Sequence, residues 1–324
     1  MLSTLLTVGL FIFGFFILIN GAELLIKGAS SLAKKLKLSD LIIGLTVVAF
    51  GTSLPELVVN LFATSSGAPD LAIGNIVGSN IANIMLILGV CAIVTPLTLK
   101  RVTVWREVLF TFIAGGILLL LVSDNVLATG GFEGLDVIDG AVLIVFFVLF
   151  IYYSFGHKTV SDDPDDDDEL LPIGRSMIYI LLGILGLGFG GHFIVDGATQ
   201  FASSIGISES IIGLTIVAIG TSAPEMVASI AAVRRRKIDI AVGNVLGSNL
   251  FNTFWVLGLS AAINPVPFSE ESYLDVFISV AAAGALFGFM FLGTKHTLHR
   301  RSGIVFVCGY TAYIGFLVAR ELMF

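Results

Sequence analysis

The hexapeptide GTSLPE at residues 51–56 decides the fold, because it recurs as GTSAPE at residues 220–225. Each copy places one carboxylate, Glu56 or Glu225, inside a long apolar stretch. An ionisable group inside a membrane span is costly, and it is retained where it faces a water-filled cavity or a partner of opposite charge. Two such groups at matching positions therefore predict a pathway for a cation.

The internal repeat extends well beyond the hexapeptide, at a constant offset of 169 residues. Residues 74–83 read GNIVGSNIAN, and residues 243–252 read GNVLGSNLFN. No insertion or deletion interrupts the match between Gly44 and Pro96 of the first copy. Such self-similarity predicts two homologous halves. We expect a first repeat at 1–155, an acidic linker at 156–175 and a second repeat at 176–324.

Composition predicts a membrane protein and excludes an ordinary soluble globular domain. Hydrophobic residues make up 56% of the chain, charged residues make up 13%, and the mean hydropathy is +1.01. Ten apolar stretches approach the roughly 20 residues that a helix needs to cross the hydrocarbon. They lie near 4–26, 40–64, 71–95, 107–123, 135–153, 177–201, 208–232, 239–263, 273–293 and 303–319. The predicted fold class is therefore an all-α polytopic membrane protein with ten transmembrane helices.

The distribution of basic residues predicts the orientation of these spans. All but one of the 17 lysine and arginine residues fall in the connections that follow odd-numbered spans, and the exception is Arg320. Basic loops stay in the cytoplasm, so both termini are expected on the extracytoplasmic side of a plasma membrane. Five spans per repeat is an odd number, which predicts that the second repeat is inserted upside down relative to the first.

The linker between the halves is strongly acidic. Residues 161–169 carry seven acidic side chains, as many as the formal net charge of −7. Such a run is typical of a solvated, disordered connection. A weak Ca²⁺-binding strip is the alternative, since clustered carboxylates attract hard cations.

The two Ser-x-Pro-Glu segments predict that helices 2 and 7 are broken. Proline fits the first turn of a helix, and Ser followed three residues later by Glu is a capping box. The break is expected to free backbone carbonyls near 49–52 and 218–221, which are tolerated at that depth only where they line a cavity. A purely structural capping role for the two glutamates is the alternative.

Further oxygen donors follow on the next predicted span of each half. Ser79 and Asn83 are four residues apart and share a helix face, as do Ser248 and Asn252. An all-oxygen set without Cys or His is typical of sites for hard cations such as Na⁺ and Ca²⁺. The remaining asparagines of the two segments are either further ligands or hydrogen-bond partners between helices, and the paired glycines favour close helix packing.

The paired GTSxPE and GNxxGSNxxN segments resemble the two repeats of the Ca²⁺/cation antiporter superfamily, in particular the prokaryotic Na⁺/Ca²⁺ exchangers. The resemblance covers essentially the whole chain. It implies four adjacent cation sites formed by spans 2, 3, 7 and 8, with Glu56 and Glu225 binding Ca²⁺ and sharing Na⁺. It further implies that spans 1 and 6 slide across this core. The other oxygen donors that it implies are Thr52, Thr221, Ser53, Ser222, Ser79, Ser248 and the carbonyls of Ala49 and Ala218.

The chain departs from part of that family at Asn252, where some members have Asp. Two carboxylates are neutralised by one Ca²⁺ or two Na⁺, so a third Na⁺ would leave uncompensated positive charge. A K⁺-dependent mode is disfavoured for the same reason. A proton remains an alternative counter-ion, because a carboxylate in a partly dry site can exchange a proton for a cation.

The sequence therefore predicts a secondary active antiporter that exchanges Ca²⁺ for Na⁺ by alternating access. A Ca²⁺/H⁺ or other cation antiporter is the first alternative, and a cation channel or a non-transporting scaffold is less favoured. No intramembrane catalytic triad or His/Cys cluster predicts an enzyme. We expect the lipid bilayer and the transported Ca²⁺ and Na⁺ as partners, with no cofactor, no nucleic acid and a monomeric state.

Overall fold

The computed structural model describes residues 2–67, 69–123, 134–156, 170–204, 218–268, 270–294 and 296–323, and this part of the chain is mostly helical. The helices are α1 (Leu2–Leu36), α2 (Asp40–Thr52), α3 (Leu54–Ser65), α4 (69–94), α5 (Arg101–Val122), α6 (Val137–Gly156), α7 (Ile173–Ser204), α8 (Ala218–Thr221), α9 (Ala223–Arg234), α10 (Ile238–Ile263), α11 (Glu270–Phe289) and α12 (Arg300–Met323). Four two-residue strands complete it: β1 (Leu97–Thr98), β2 (Gly134–Leu135), β3 (Val266–Pro267) and β4 (Thr297–Leu298).

The helices confirm the multi-span membrane class. Among the described residues, eight helices are long and apolar enough to cross a membrane, or nine if the bent pair α2 and α3 forms one span. These correspond to nine of the ten predicted spans. The remaining predicted span, 208–232, begins outside the described residues, and α8 and α9 lie in its described part. The acidic run at 161–169 also lies outside them.

The sequence repeat is matched by a repeat of structural elements at the same offset of 169 residues. Helix α3 begins at residue 54 and α9 at residue 223, while α4 begins at 69 and α10 at 238. Both α4 and α10 contain a π-helical segment, at Ala82–Leu88 and Phe251–Val256. Strands β1 and β3 follow these two helices at matching positions, 97 and 266.

Helices α4 and α10 form the centre of the molecule. Helix α10 is buried along nearly its whole length and α4 along most of it, whereas only 28–33% of the residues in the other membrane-spanning helices are buried. A helix that is apolar on all sides is stable only when protein or lipid surrounds it. Helices α6 and α12 pack against the C-terminal halves of α10 and α4, respectively, and α5 packs against α11.

Helices α1 and α7 pack against each other along most of their length. Gly14 meets Gly190, Gly21 meets Gly186 and Gly28 meets Ser176, so the two helices run antiparallel. A Cβ atom at Gly21 would lie 2.9 Å from the carbonyl carbon of Gly186. Small residues are therefore required in this seam, as in other close helix pairs of membrane proteins.

Two antiparallel ribbons join the halves, and the sequence did not predict them. Leu97 of β1 pairs with Leu298 of β4, and Leu135 of β2 pairs with Val266 of β3. In each ribbon one strand comes from residues 1–155 and the other from residues 176–324. The ribbons therefore connect the two predicted repeats, and the side chains of Leu97, Leu135, Val266 and Leu298 are buried in the core.

Candidate functional site

The two predicted helix breaks are present at Ser53 and Ser222. Their backbone angles are almost identical, with φ −85° and ψ 8° at Ser53 and φ −85° and ψ 2° at Ser222. The chain bends by 48° between α2 and α3. Each following helix carries a proline in its first turn, Pro55 or Pro224, and this proline leaves the carbonyl four residues before it without its helical donor.

The predicted capping box is wrong at both breaks, because neither serine side chain makes a cap hydrogen bond. The Ser53 hydroxyl instead donates to Oε1 of Glu225, at 2.9 Å. The Ser222 hydroxyl donates to the Ser79 hydroxyl oxygen, at 3.2 Å. For Ser53, donation to a buried carboxylate is a strong interaction that orients the hydroxyl toward Glu225 and away from the local amide. Both serines therefore link one half of the chain to the other.

The two glutamates lie in the protein interior, each with 1% of its surface exposed. They are close enough for their charges to interact. Glu225 accepts a second hydrogen bond from the Ser248 hydroxyl, at 3.4 Å. Among the described residues, three carboxylate oxygens have no hydrogen-bond partner: Oε1 and Oε2 of Glu56, and Oε2 of Glu225. Because buried polar atoms are normally satisfied, these oxygens indicate a site for a positively charged ligand.

The asparagines of α4 and α10 form a pair of crossed hydrogen bonds. Asn83 donates through Nδ2 to Oδ1 of Asn249 at 2.9 Å, and Asn252 donates through Nδ2 to Oδ1 of Asn80 at 3.3 Å. The offset of 169 residues relates Asn83 to Asn252 and Asn80 to Asn249, so the second hydrogen bond is the first with the halves exchanged. Asn80 and Asn249 are therefore partners between helices. Oδ1 of both Asn83 and Asn252 is buried without a partner in the described part of the chain.

The other two asparagines of the motifs hold the glutamate-bearing helices in place. Asn75 donates to the backbone carbonyl of Glu56, and Asn244 donates to that of Glu225, at 3.3 Å in both cases. Oδ1 of Asn244 also accepts from the Thr52 hydroxyl, at 3.1 Å. Asn75 and Asn244 therefore act as hydrogen-bond partners between helices in this structure.

The predicted carbonyl donors, Ala49 and Ala218, lie at matching positions before the two breaks. The Ala49 carbonyl accepts from the Ser53 amide at 3.0 Å and from the Thr52 hydroxyl at 3.3 Å. The one proton of the Thr52 hydroxyl is shared between this carbonyl and Oδ1 of Asn244, so a cation could take the second lone pair of the Ala49 carbonyl while Thr52 donates to Asn244. Ala218 is the first described residue of α8, and Thr221 is buried at its C-terminal end.

A cavity of about 530 Å³ lies between α7 and the two breaks. Thr52 and Pro55 line it from the first break, and Thr221 and Pro224 line it from the second. His192 of α7 and apolar side chains such as Phe189 form the opposite wall. Both breaks therefore border one space next to the buried glutamates.

Four polar residues of this region were missed by sequence reasoning. The Asn60 amide donates to the Ser260 hydroxyl oxygen at 2.7 Å, and Ser229 accepts from Asn244 at 3.0 Å. The Asn80 amide also donates to Thr253, at 3.0 Å. The sequence contains a signal for two of them. Asn60 and Ser229 each follow a motif glutamate by four residues, so each shares a helix face with that glutamate.

The donor set consists of oxygen atoms from carboxylates, hydroxyls, amides and carbonyls. Within the described ranges, no group of three or more His, Cys, Asp or Glu residues could hold a metal ion. Such oxygen-rich surroundings suit hard cations rather than transition metals. A polytopic membrane protein with two buried carboxylates at matched helix breaks has the architecture of a cation transporter.

The chain belongs to the sodium/calcium exchanger protein family, whose model matches residues 6–156 and 175–319. This confirms the superfamily that the motifs resemble. It is 36% identical over 308 residues to the putative antiporter CaxA of Alkalimonas amylolytica, covering 93% of this chain and 95% of that protein. It is 33% identical over 334 residues to the sodium/calcium exchanger MaX1 of Methanosarcina acetivorans, with the same shares covered.

Solved structures of the sodium-calcium exchanger NCX_Mj are similar in fold. One of them, soaked with 2.5 mM Na⁺ and 0.1 mM Ca²⁺, superposes with a TM-score of 0.82 at 29% sequence identity. The match covers 96% of this chain and 98% of that one. The chain is therefore a membrane protein of the exchanger family over nearly its whole length.

Proposed function

We propose that this protein is a secondary active antiporter that exchanges Ca²⁺ for Na⁺ across the plasma membrane by alternating access. The observation that carries the proposal is the pair of buried carboxylates, Glu56 and Glu225, which lie in the first turn after matching helix breaks and have three unsatisfied oxygens. Family membership and the relatives named sodium/calcium exchangers support the same cations.

The charge of the site explains why two different cations compete for it. Two buried carboxylates close together repel each other and lose hydration, so the ion-free site is unfavourable. One Ca²⁺ or two Na⁺ ions supply the same compensating charge. Either load relieves the repulsion, and both loads together would exceed the negative charge available. Competition for one pair of carboxylates is the physical basis that we infer for exchange.

The ligand set extends from this pair to the surrounding oxygens. Ser53 and Ser248 already contact Glu225, and Ser222 contacts Ser79, so four hydroxyl oxygens surround the carboxylates. The partnerless amide oxygens of Asn83 and Asn252 are the next donors along α4 and α10. Thr52, Thr221 and the carbonyls of Ala49 and Ala218 complete the proposed set at the two breaks.

Alternating access follows from an architecture of ten transmembrane helices in two inverted five-helix repeats, 1–155 and 176–324. The mirrored hydrogen bonds between Asn83 and Asn249 and between Asn252 and Asn80 support a two-fold relation through the site. The antiparallel course of α1 and α7 supports the inversion. We place both termini outside the cell and the linker, residues 156–175, in the cytoplasm. The proposed mechanism involves no enzymatic activity, no cofactor and no second subunit.

Radioactive Ca²⁺ uptake tests this function directly. Proteoliposomes loaded with Na⁺ and diluted into Na⁺-free buffer should accumulate Ca²⁺, and Glu56→Gln and Glu225→Gln should each abolish the uptake. Glu107→Gln is the matched control, because it removes a partly buried carboxylate on α5 outside the site. Uptake driven only by a pH gradient would replace Na⁺ by H⁺ as counter-ion. The absence of uptake under either gradient would contradict the antiporter assignment.

A further inference from the structure

The polar face of α3 continues beyond Glu56 toward the C-terminal end of the helix. Asn60 and Thr64 follow at intervals of four residues, so all three side chains lie on one face. Asn60 has 0% and Thr64 4% of its surface exposed. Oδ1 of Asn60 and Oγ1 of Thr64 are buried without a hydrogen-bond partner in the described part of the chain. Together with Glu56, three consecutive turns of α3 thus carry unsatisfied oxygens.

The matching helix α9 lacks this feature, although its backbone is equivalent. Residue 229 is Ser, and its hydroxyl accepts from Asn244. Residue 233 is Val, which has no oxygen in its side chain. The unsatisfied oxygens beyond the glutamate pair therefore follow one of the two broken helices only. Repeat symmetry does not account for them.

The orientation of the Asn60 amide is fixed by its neighbour on α10. Nδ2 donates to Oγ of Ser260 at 2.7 Å, which turns Oδ1 away from that contact. With a rise of 1.5 Å per residue, Asn60 lies about 6 Å and Thr64 about 12 Å along the helix axis from Glu56. The oxygens form a short file that starts at the glutamate pair and ends one residue before the last residue of α3.

We propose that Asn60 forms, with the Glu56 carboxylate, an additional position for a partly hydrated Na⁺ ion next to the glutamate pair, and that Thr64, one turn further along α3, contacts this ion through a water molecule. This inference rests on the function proposed above and adds a position that only α3 provides. Two neutral oxygens and one shared carboxylate cannot replace the six to eight oxygen ligands that Ca²⁺ takes. A monovalent ion that keeps part of its water needs fewer protein ligands. The position is therefore selective for Na⁺ over Ca²⁺.

A Na⁺ ion at this position would strengthen Na⁺ competition without taking part in Ca²⁺ binding. It lies within a helical turn of Glu56, so it can take one of the two Na⁺ ions once Ca²⁺ has left the pair. Removing the side-chain oxygens of Asn60 and Thr64 should weaken Na⁺ competition and leave the Ca²⁺ affinity of the glutamate pair intact. This separation of the two cations distinguishes a binding position from a merely structural role.

Calorimetric titration of the purified full-length protein in detergent tests the inference. Ca²⁺ affinity is measured in Na⁺-free buffer, and Na⁺ competition is measured as the Na⁺ concentration that displaces half of the bound Ca²⁺. Asn60→Leu and Thr64→Val keep the side-chain shape and remove the oxygen. We expect each to raise the half-displacing Na⁺ concentration by about threefold to tenfold, the effect of weakening one ligand contact. The Ca²⁺ dissociation constant should stay within about twofold.

Thr111→Val is the matched control, because Thr111 is a buried threonine of α5 that donates to the Glu107 carbonyl outside the site. It should change neither quantity. Unchanged Na⁺ competition in both α3 variants would overturn the inference, since the oxygens would then hold only water. A parallel loss of Ca²⁺ affinity would also overturn it, because the residues would then only shape the glutamate pair. If the unmodified protein binds Ca²⁺ that Na⁺ cannot displace, the proposed Na⁺/Ca²⁺ exchange itself fails.

Discussion

Glu225 and Glu56 occupy matching positions but have different surroundings. Glu225 accepts hydrogen bonds from the hydroxyls of Ser53 and Ser248, whereas Glu56 interacts with the Ser79 hydroxyl only at a separation longer than a hydrogen bond. Ser53 belongs to the first repeat and Ser248 to the second, so Glu225 is held by both halves. Glu56 therefore depends more strongly on a bound cation for its stability in the interior.

Removal of the Glu56 charge is expected to stabilise the ion-free protein. Glu56→Gln keeps the shape of the side chain and eliminates both a buried charge and its repulsion with Glu225. The thermal midpoint in the presence of a chelator should therefore rise above that of the unmodified protein. The same variant should lose the Ca²⁺-dependent stabilisation, which amounts to about 2.7 kcal/mol when Ca²⁺ is at 100 times its dissociation constant.

Thermal unfolding in detergent, followed by light scattering or fluorescence, measures both effects. Glu107→Gln serves as the control and should retain the full Ca²⁺-dependent shift. A Glu56→Gln protein that is less stable than the unmodified chain without Ca²⁺, or that still responds to Ca²⁺, would show that Glu56 has a structural role.

The identity of the oxygen donors could be predicted at the residue scale, but their hydrogen-bond partners could not. The repeat singled out Ser79, Asn83 and their equivalents because the same polar residues recur in two apolar spans. Asn80 and Asn83 are indistinguishable in that pattern. Only the crossing of α4 and α10 determines that Asn80 accepts a hydrogen bond while the Asn83 oxygen has no partner among the described residues.

At the scale of elements, close packing of α2 on α10 positions the first break. A Cβ atom at Gly243 would lie 2.7 Å from the Leu41 carbonyl oxygen and 3.0 Å from the Leu45 amide nitrogen. The packing interpretation of Gly243 is thereby confirmed. At Gly74, its equivalent in α4, nothing among the described residues lies within 4 Å of such an atom. The equivalents of Leu41 and Leu45 are residues 210 and 214, which lie outside the described ranges.

An inverted repeat predicts that Gly74→Ala is as disruptive as Gly243→Ala. Each added methyl group would push a broken helix away from its neighbour, and overpacking of this kind destabilises by about 1–3 kcal/mol. Ca²⁺ affinity should fall in both variants, because α2 and its counterpart carry the break residues of the site. Thermal stability and Ca²⁺ titration measure the two effects.

Gly116→Ala on α5 is the control for this pair, since an added Cβ there has open space among the described residues. It should leave stability and affinity nearly unchanged. If Gly74→Ala behaves like Gly116→Ala, no segment packs on α4 as α2 packs on α10, and the symmetry between the halves does not extend to this contact.

Prolines made the helix breaks predictable, because their missing amide and fixed φ act locally. The capping box failed for a non-local reason, since the Ser53 hydroxyl is oriented toward a carboxylate that is 172 positions away in sequence and donates to it instead of accepting from the local amide. The ribbons of β1 with β4 and β2 with β3 were not predictable, because two-residue strands carry no periodicity. Their pairing depends on the docking of the two halves.

At the scale of the whole molecule, equivalent elements make equivalent contacts with the halves exchanged. Helix α3 packs against the C-terminal half of α10, and α9 packs against the C-terminal half of α4. The crossed asparagine pairs obey the same exchange. A two-fold axis through the site produces such contacts. If this axis is parallel to the bilayer plane, the two broken helices cross the membrane in opposite directions.

The inverted arrangement predicts that equivalent helix ends lie on opposite sides of the membrane. Ser65 ends α3 and Arg234 ends α9, the two positions differ by 169, and both side chains are exposed. The described cysteines, buried Cys91 and exposed Cys308, can be replaced by Ala to give a background without reactive thiols. Single Ser65→Cys and Arg234→Cys substitutions then differ only in the side that they report.

A membrane-impermeant maleimide added to intact cells should label Ser65→Cys and should label Arg234→Cys only after the membrane is permeabilised. The reason is that Arg234 belongs to a basic cluster, residues 234–237, and such clusters remain in the cytoplasm. Labelling of both positions from the same side would contradict the inverted repeat itself. Labelling with the sides exchanged would preserve the inversion but reverse the orientation, and it would place both termini in the cytoplasm.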